Sequence, residues 1–173
     1  TDLAFGLDGA LYVSDFYYPI IGHAQHSIRD ENRDYANGRV WRVTRKGAPL
    51  AKAPVIAGAP LPNLFNLLTH AQVRVRELVR LELEKRPPNQ VVKLARSKVG
   101  TKNELLGLEL LWLFERAKDY SQTNLFKQLV KSDQPEIRRA AARSLRWWAP
   151  ALGKEAQSIA AQLAKSDDIR TRM

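Results

Sequence analysis

Cysteine is absent from this 173-residue chain. That excludes disulfides, zinc–thiolate sites, iron–sulfur clusters, thiol nucleophiles and a C-x-x-C-H haem attachment on the chain itself. No run of about 18 apolar residues occurs, so no transmembrane segment is expected. No basic stretch followed by an apolar run opens the sequence, so no signal peptide is expected within it. Gly-rich phosphate loops, G-x-S-x-G elbows and H-E-x-x-H pairs are missing as well. The chain opens at Thr1 directly into a strand-like run, which reads as a piece of a longer protein. The residues by themselves name no reaction. They name an architecture, a charge distribution and one polar loop.

Hydrophobic residues make up 45% of the chain, enough for a real core. The net charge is +10. Residues 1–50 hold six Lys/Arg and six Asp/Glu and are neutral. The other 22 of the 28 basic and 12 of the 18 acidic residues lie in 51–173, which carries the whole excess. Such a balance fits an acidic partner, nucleic acid, an anionic surface or simply a solvated Arg-rich face.

Two hydrophobic periods divide the chain. Residues 1–46 read as strands and loop: LAF (3–5), ALYVSDF (10–16) and GRVWRVTR (38–45), with a turn signal at Gly6-Leu7-Asp8-Gly9. Three short strands make no stable sheet alone, so this segment looks like the end of a larger β domain. Residues 47–61, with the prolines at 49, 54 and 60, form a linker or a segment packed along the next domain. From 62 to 173 the period is helical. Helices are expected at 62–70, 73–86, 89–98, 102–118, 122–131, 135–148 and 152–165, with another starting at 168. The breaks fall at Pro87-Pro88, Gly100-Thr101, Ser121, Asp133-Gln134-Pro135 and Pro150. Ser121 and Asp133 are expected N-caps, and Pro135 suits a first turn.

The helices repeat. LFNLLTHAQVRVREL (64–78) parallels FKQLVKSDQPEIRRA (126–140), and AAQLAKSDDIRTR (160–172) follows with a shorter loop. Arg76, Gly107, Arg138 and Arg170 fall at offsets of 31, 31 and 32. Two helices per period predict an α-α superhelix of about three and a half units. The unit resembles a HEAT repeat. On 135–148, Ile137, Ala141, Ser144, Leu145 and Trp148 share one stripe, with Arg138, Arg139, Arg143 and Arg146 opposite.

The polar loop between strands two and three is one candidate site. Asp15, His23, His26, Arg29, Asp30, Arg33 and Asp34 lie within 20 residues. His23 and His26 have H-x-x-H spacing beside carboxylates. Four readings fit: ionic pinning of the loop, the edge of a site completed elsewhere, ligands for a divalent metal, or an enzyme on this chain in which a His–Asp pair of loop 15–34 moves protons. The second candidate is a basic face of Arg74, Arg76, Arg80, Arg138, Arg139, Arg143 and Arg146 along one groove, suited to phosphates. Tyr12, Phe16, Tyr17, Tyr18 and Trp41 are expected to pack as an aromatic cluster.

The segment from Phe5 to Leu50 resembles the closing part of a large bacterial β-propeller family. Its members are described as membrane-bound dehydrogenases and abound in planctomycetes and verrucomicrobia. The matching positions are Asp8 to Val13, Asp15, Pro19 to His23, Gln25-His26, Arg29-Asp30, Arg33-Asp34 and Gly38-Arg39. Leu7 replaces the usual Pro, and Phe16-Tyr17 the usual Trp-Tyr. The resemblance implies an exported or periplasmic, cell-envelope protein whose propeller end is followed by HEAT-like repeats. It implies an oxidoreductase in the full-length protein, with a c-type haem or a quinone on other parts. No catalytic residue and no cofactor is expected on this chain. The expected partner is another protein or another domain of the same one, with nucleic acid as the alternative.

Overall fold

The computed structural model describes residues 2–15, 30, 31, 34 and 36–172. They form two compact units, residues 1–55 with 72–75 and residues 56–71 with 76–173. The described elements are mainly helical, with one small sheet.

In the first unit, β1 (Leu3–Phe5), β2 (Leu11–Asp15) and β3 (Arg39–Val43) form an antiparallel sheet in the order β1-β2-β3. Leu3 pairs with Val13, and Val13 in turn with Trp41. The turn between β1 and β2 is built by Asp8. Its carboxylate accepts from the Ala10 N–H, the Tyr12 hydroxyl and Arg42, whose Nη2 lies 2.6 Å away. The Arg42 hydrogen bond, then the Ala10 N–H, hold its pKa below the ordinary carboxylate value. Gly6 is required here, because a Cβ would lie 2.5 Å from the Tyr12 ring. β3 is exposed along its whole length, including Val40, Trp41 and Val43. Trp41 therefore does not join a buried aromatic cluster; its indole N–H donates to Asp15. Phe16, Tyr17 and Tyr18 lie outside the described residues.

The helices are α1 (Leu61–Leu67), α2 (Val73–Glu84), α3 (Pro88–Ser97), α4 (Glu104–Arg116), α5 (Thr123–Leu129), α6 (Pro135–Leu152) and α7 (Glu155–Leu163). Their order and approximate limits follow the apolar period. α4 is buried on nearly every side, as its all-round leucines required. Leu110, Leu111, Phe114, Phe126, Leu129 and Trp148 are fully buried. Each such side chain stabilises by about 1.5–3 kcal/mol. Gly107 sits where α5 approaches α4, and a Cβ there would meet Leu129 at 3.3 Å.

Several boundaries differ from expectation. α6 runs through Pro150 to Leu152. A proline in the final turn removes one bond near an end that closes anyway. Gly153, at φ +57, stops the helix. Ser121 and Asp133 are not the N-caps: α5 begins at Thr123, one residue later than expected, after Gln122, and α6 begins at Pro135 as expected, after Gln134. Asn103 does cap α4, accepting from the Leu106 N–H. The expected helix from 168 is a single turn, closed by Thr171 N–H to the Asp168 carbonyl. Leu145 is only half-buried, while Leu152 joins the buried stripe of α6.

The proline-rich stretch divides between the units at Val55 and Ile56. Ile56 and Ala59 are buried in the helical unit. Glu82 on α2 accepts from the Gly58 N–H at 3.0 Å and from Arg86 at 2.7 Å. Arg86 also donates to the Ala59 carbonyl. The Gly58 N–H, then Lys85, keep the Glu82 carboxyl below its ordinary 4.5. A depressed carboxylate pKa stabilises the fold above the unfolded value, and that contribution is lost as pH falls through the folded one. The melting temperature should therefore drop on acidification below the ordinary Glu82 value of 4.5. Glu82→Gln should start from a lower melting temperature and fall less steeply. Scanning calorimetry of both proteins across that pH range checks this; parallel curves would count against the tether.

Candidate functional site

The polar loop is only partly within view. His23, His26, Arg29 and Arg33 lie outside the described residues. Asp15 accepts from Arg39 Nε at 3.2 Å and Trp41 Nε1 at 3.1 Å, which ties the end of β2 to β3. Asp34 accepts from the backbone N–H groups of Ala36 and Asn37 and from the Asn37 amide. The Asn37 side chain, then the Ala36 N–H, lower its pKa. Asp30 is half-buried. No group of three or more metal-ligating side chains is assembled among the described residues.

The arginines divide by employment. Arg76 donates to the carbonyls of His70 (2.6 Å) and Ala71 (3.2 Å). Arg138 repeats the arrangement on the Ser132 carbonyl at 2.5 Å. Arg80 grips buried Glu109 with two bonds of 2.7 and 2.5 Å, and its guanidinium lies over Trp112. The Glu109 hydrogen bond raises the Arg80 pKa. Arg139 pairs with Glu136 and lies 3.6 Å from Asp168. Arg74 is exposed on α2. Arg143 and Arg146 are exposed on α6, with Arg146 over the Trp147 ring.

Among the described residues, two cavities of the helical unit stand out. One, of 440 Å³, sits among α2, α3 and α4, with Leu83, Val91, Val92 and Trp112 in its walls. Its charges are largely matched within the fold: Arg80 with Glu109, Arg86 with Glu82, Arg116 with Glu84. The other, of 430 Å³, lies between α6, α7 and the turn that follows. Five arginines line it, Arg139, Arg143, Arg146, Arg170 and Arg172, over a floor of Ala142, Leu145, Ala160, Leu163 and Ala164. Among the described residues, no carboxylate lines this second cleft. Its one hydroxyl, on Thr171, donates to Asp168 at 2.5 Å. No lining side chain pairs a nucleophile with a base, so the cleft is equipped to hold an anion rather than to break a bond.

Of the basic face expected from sequence, three arginines, Arg139, Arg143 and Arg146, meet at this cleft, and Arg74 lies exposed on α2. Arg76, Arg80 and Arg138 are turned to internal acceptors. Arg170 and Arg172 complete the ring, and helical periodicity did not assign them to it. The only trace in the sequence was Arg170 sharing the register of Arg76 and Arg138, which marks a turn but not the direction the chain takes after it. No protein-family model, curated protein or solved structure matches the chain.

Proposed function

We propose that the chain is a non-catalytic interaction module: a HEAT-like stack of helix pairs following the end of a propeller-type β domain, in an exported protein of the dehydrogenase class. The observation that supports the stacking is the spacing of polar bonds between helices, or between a helix and a turn. Arg80–Glu109, Arg116–Glu84, Trp148–Glu115, Ser132–Glu104 and Gln134–Glu104 join residues 29, 32, 33, 28 and 30 apart. Partners one repeat apart along the chain are what stacking of like units produces. The exposed apolar faces of β3 support the propeller-end reading, since such a sheet lacks a cover of its own. The c-type haem of the resembling family is attached through cysteines, which this chain does not have, so such a haem would sit on another part of the protein.

A stack couples neighbours more than distant units. Ile159 on α7 is buried at 8% exposure. Ile159→Ala should weaken α7 by about 2–3 kcal/mol, so amide exchange there should speed up about 30- to 150-fold. Exchange in α6 should follow in part, and α2 and α3 should keep their protection. Hydrogen-exchange mass spectrometry reads this directly. Equal acceleration in all seven helices would mean one indivisible core and would sink the stacked-unit reading.

A nucleic-acid role draws on the same +10 charge. It needs a continuous track of available cations. With Arg76, Arg80, Arg138 and Arg139 engaged internally, the face offers a local cluster instead, so the protein-interaction reading is preferred.

A further inference from the structure

We propose that the cleft between α6, α7 and the turn at 167–171 is a binding site for a compact phosphate group carrying two or more charges, free or presented by a partner. The inference deepens the interaction-module reading by naming what the module grips. Four of the five lining arginines, Arg143, Arg146, Arg170 and Arg172, have no carboxylate partner among the described residues. Asp168 serves Arg139 and Thr171. Four like charges around 430 Å³ repel one another unless an anion joins them. Guanidinium forks match phosphate oxygens two at a time, which favours phosphate over a single carboxylate. Between the arginines the lining is apolar, from Ala142, Leu145, Ala160, Leu163 and Ala164. No aromatic side chain lines the cleft among the described residues, and the Trp147 ring outside it has the Arg146 guanidinium over one face, so the cleft itself gives a base nothing to stack on. That favours a phosphate group without a nucleobase over an oligonucleotide.

The test is calorimetric titration of the full chain at constant ionic strength, with about 50 mM added salt, low enough to keep phosphate contacts visible. The probes are sodium pyrophosphate, a phosphoserine peptide, the same peptide with glutamate in place of phosphoserine, and oligothymidylates of increasing length. Pyrophosphate or the phosphopeptide should bind saturably, and the tighter of the two tells whether the group is free or carried. Arg143→Ala with Arg146→Ala should weaken binding about a hundredfold, at about tenfold per charged hydrogen-bonding group. Both residues are exposed, so circular dichroism should be unchanged. Lys93→Ala with Lys98→Ala removes the same charge from exposed positions on or beside α3 and should change affinity less than about twofold. No saturable binding by either phosphate probe overturns the proposal. So does equal loss in the two double variants, equal binding of the glutamate peptide, or oligothymidylate affinity that exceeds both phosphate probes and climbs with length. The exchange experiment on Ile159→Ala does not depend on this cleft being filled, so failure here leaves the stacked-unit reading standing, and the reverse.

Discussion

Trp148→Ala should lower the unfolding free energy by about 3–5 kcal/mol, the range for emptying a large aromatic site. Trp148 has no exposed surface. Its ring stacks on Phe126 of α5 at 5.6 Å and meets Tyr120 edge-on at 5.3 Å. Its indole N–H donates to Glu115 of α4 at 2.8 Å. One side chain on α6 thus ties α4, α5 and the segment between them. Truncation removes the packing and the bond together. Trp148→Phe separates them: it keeps most of the stack, forfeits the bond, and should lose about 1–2 kcal/mol. Urea unfolding followed by far-ultraviolet circular dichroism measures both. If Trp148→Ala lost under about 1 kcal/mol, the three-way junction would not be a keystone of the helical unit.

The second large effect is expected at Glu109. Its side chain is 1% exposed and is held by Arg80, while Arg76 Nε stands 4.0 Å away. A carboxylate that deep is tolerated because two guanidiniums face it. Glu109→Ala leaves those cations behind and should lose about 2–4 kcal/mol, under the fully buried range because part of Arg80 still meets water. Glu109→Leu combined with Arg80→Met removes the close ion pair, leaves Arg76 on its carbonyl acceptors, and should regain more than half of the loss. Urea is the denaturant to use, because guanidinium chloride screens the pair under study. A double variant no better than the single one would show that shape rather than charge governs the site.

The sequence disclosed the helical part well because apolar period is a local property. Leu108, Leu110, Leu111 and Phe114 announce a surrounded helix without any knowledge of what surrounds it. The paired Arg76 and Arg138 likewise disclosed a recurring turn. What stayed hidden was long-range employment. Nothing near Arg80 in the chain indicates that Glu109 will occupy its fork, so Arg80 read as surface charge. Nothing near Arg143 indicates that Arg170 and Arg172 come back beside it. Pro150 misled for the opposite reason: local rules treat proline as a break, and only its place in a final turn makes it harmless. Ser121 and Asp133 missed as caps by one residue, the scale on which helix starts are decided by detailed geometry.

The arginine clamps on the turns have a consequence for how this chain can change over time. Arg76 and Arg138 each hold a main-chain carbonyl six residues back. A carbonyl is the same whatever side chain accompanies it. The turns between paired helices can therefore exchange residues freely while the clamp persists. They cannot easily gain or lose one, because that would carry the acceptor out of a fixed reach. Drift in these turns should run through substitution, with length held by a side chain that reads only the backbone.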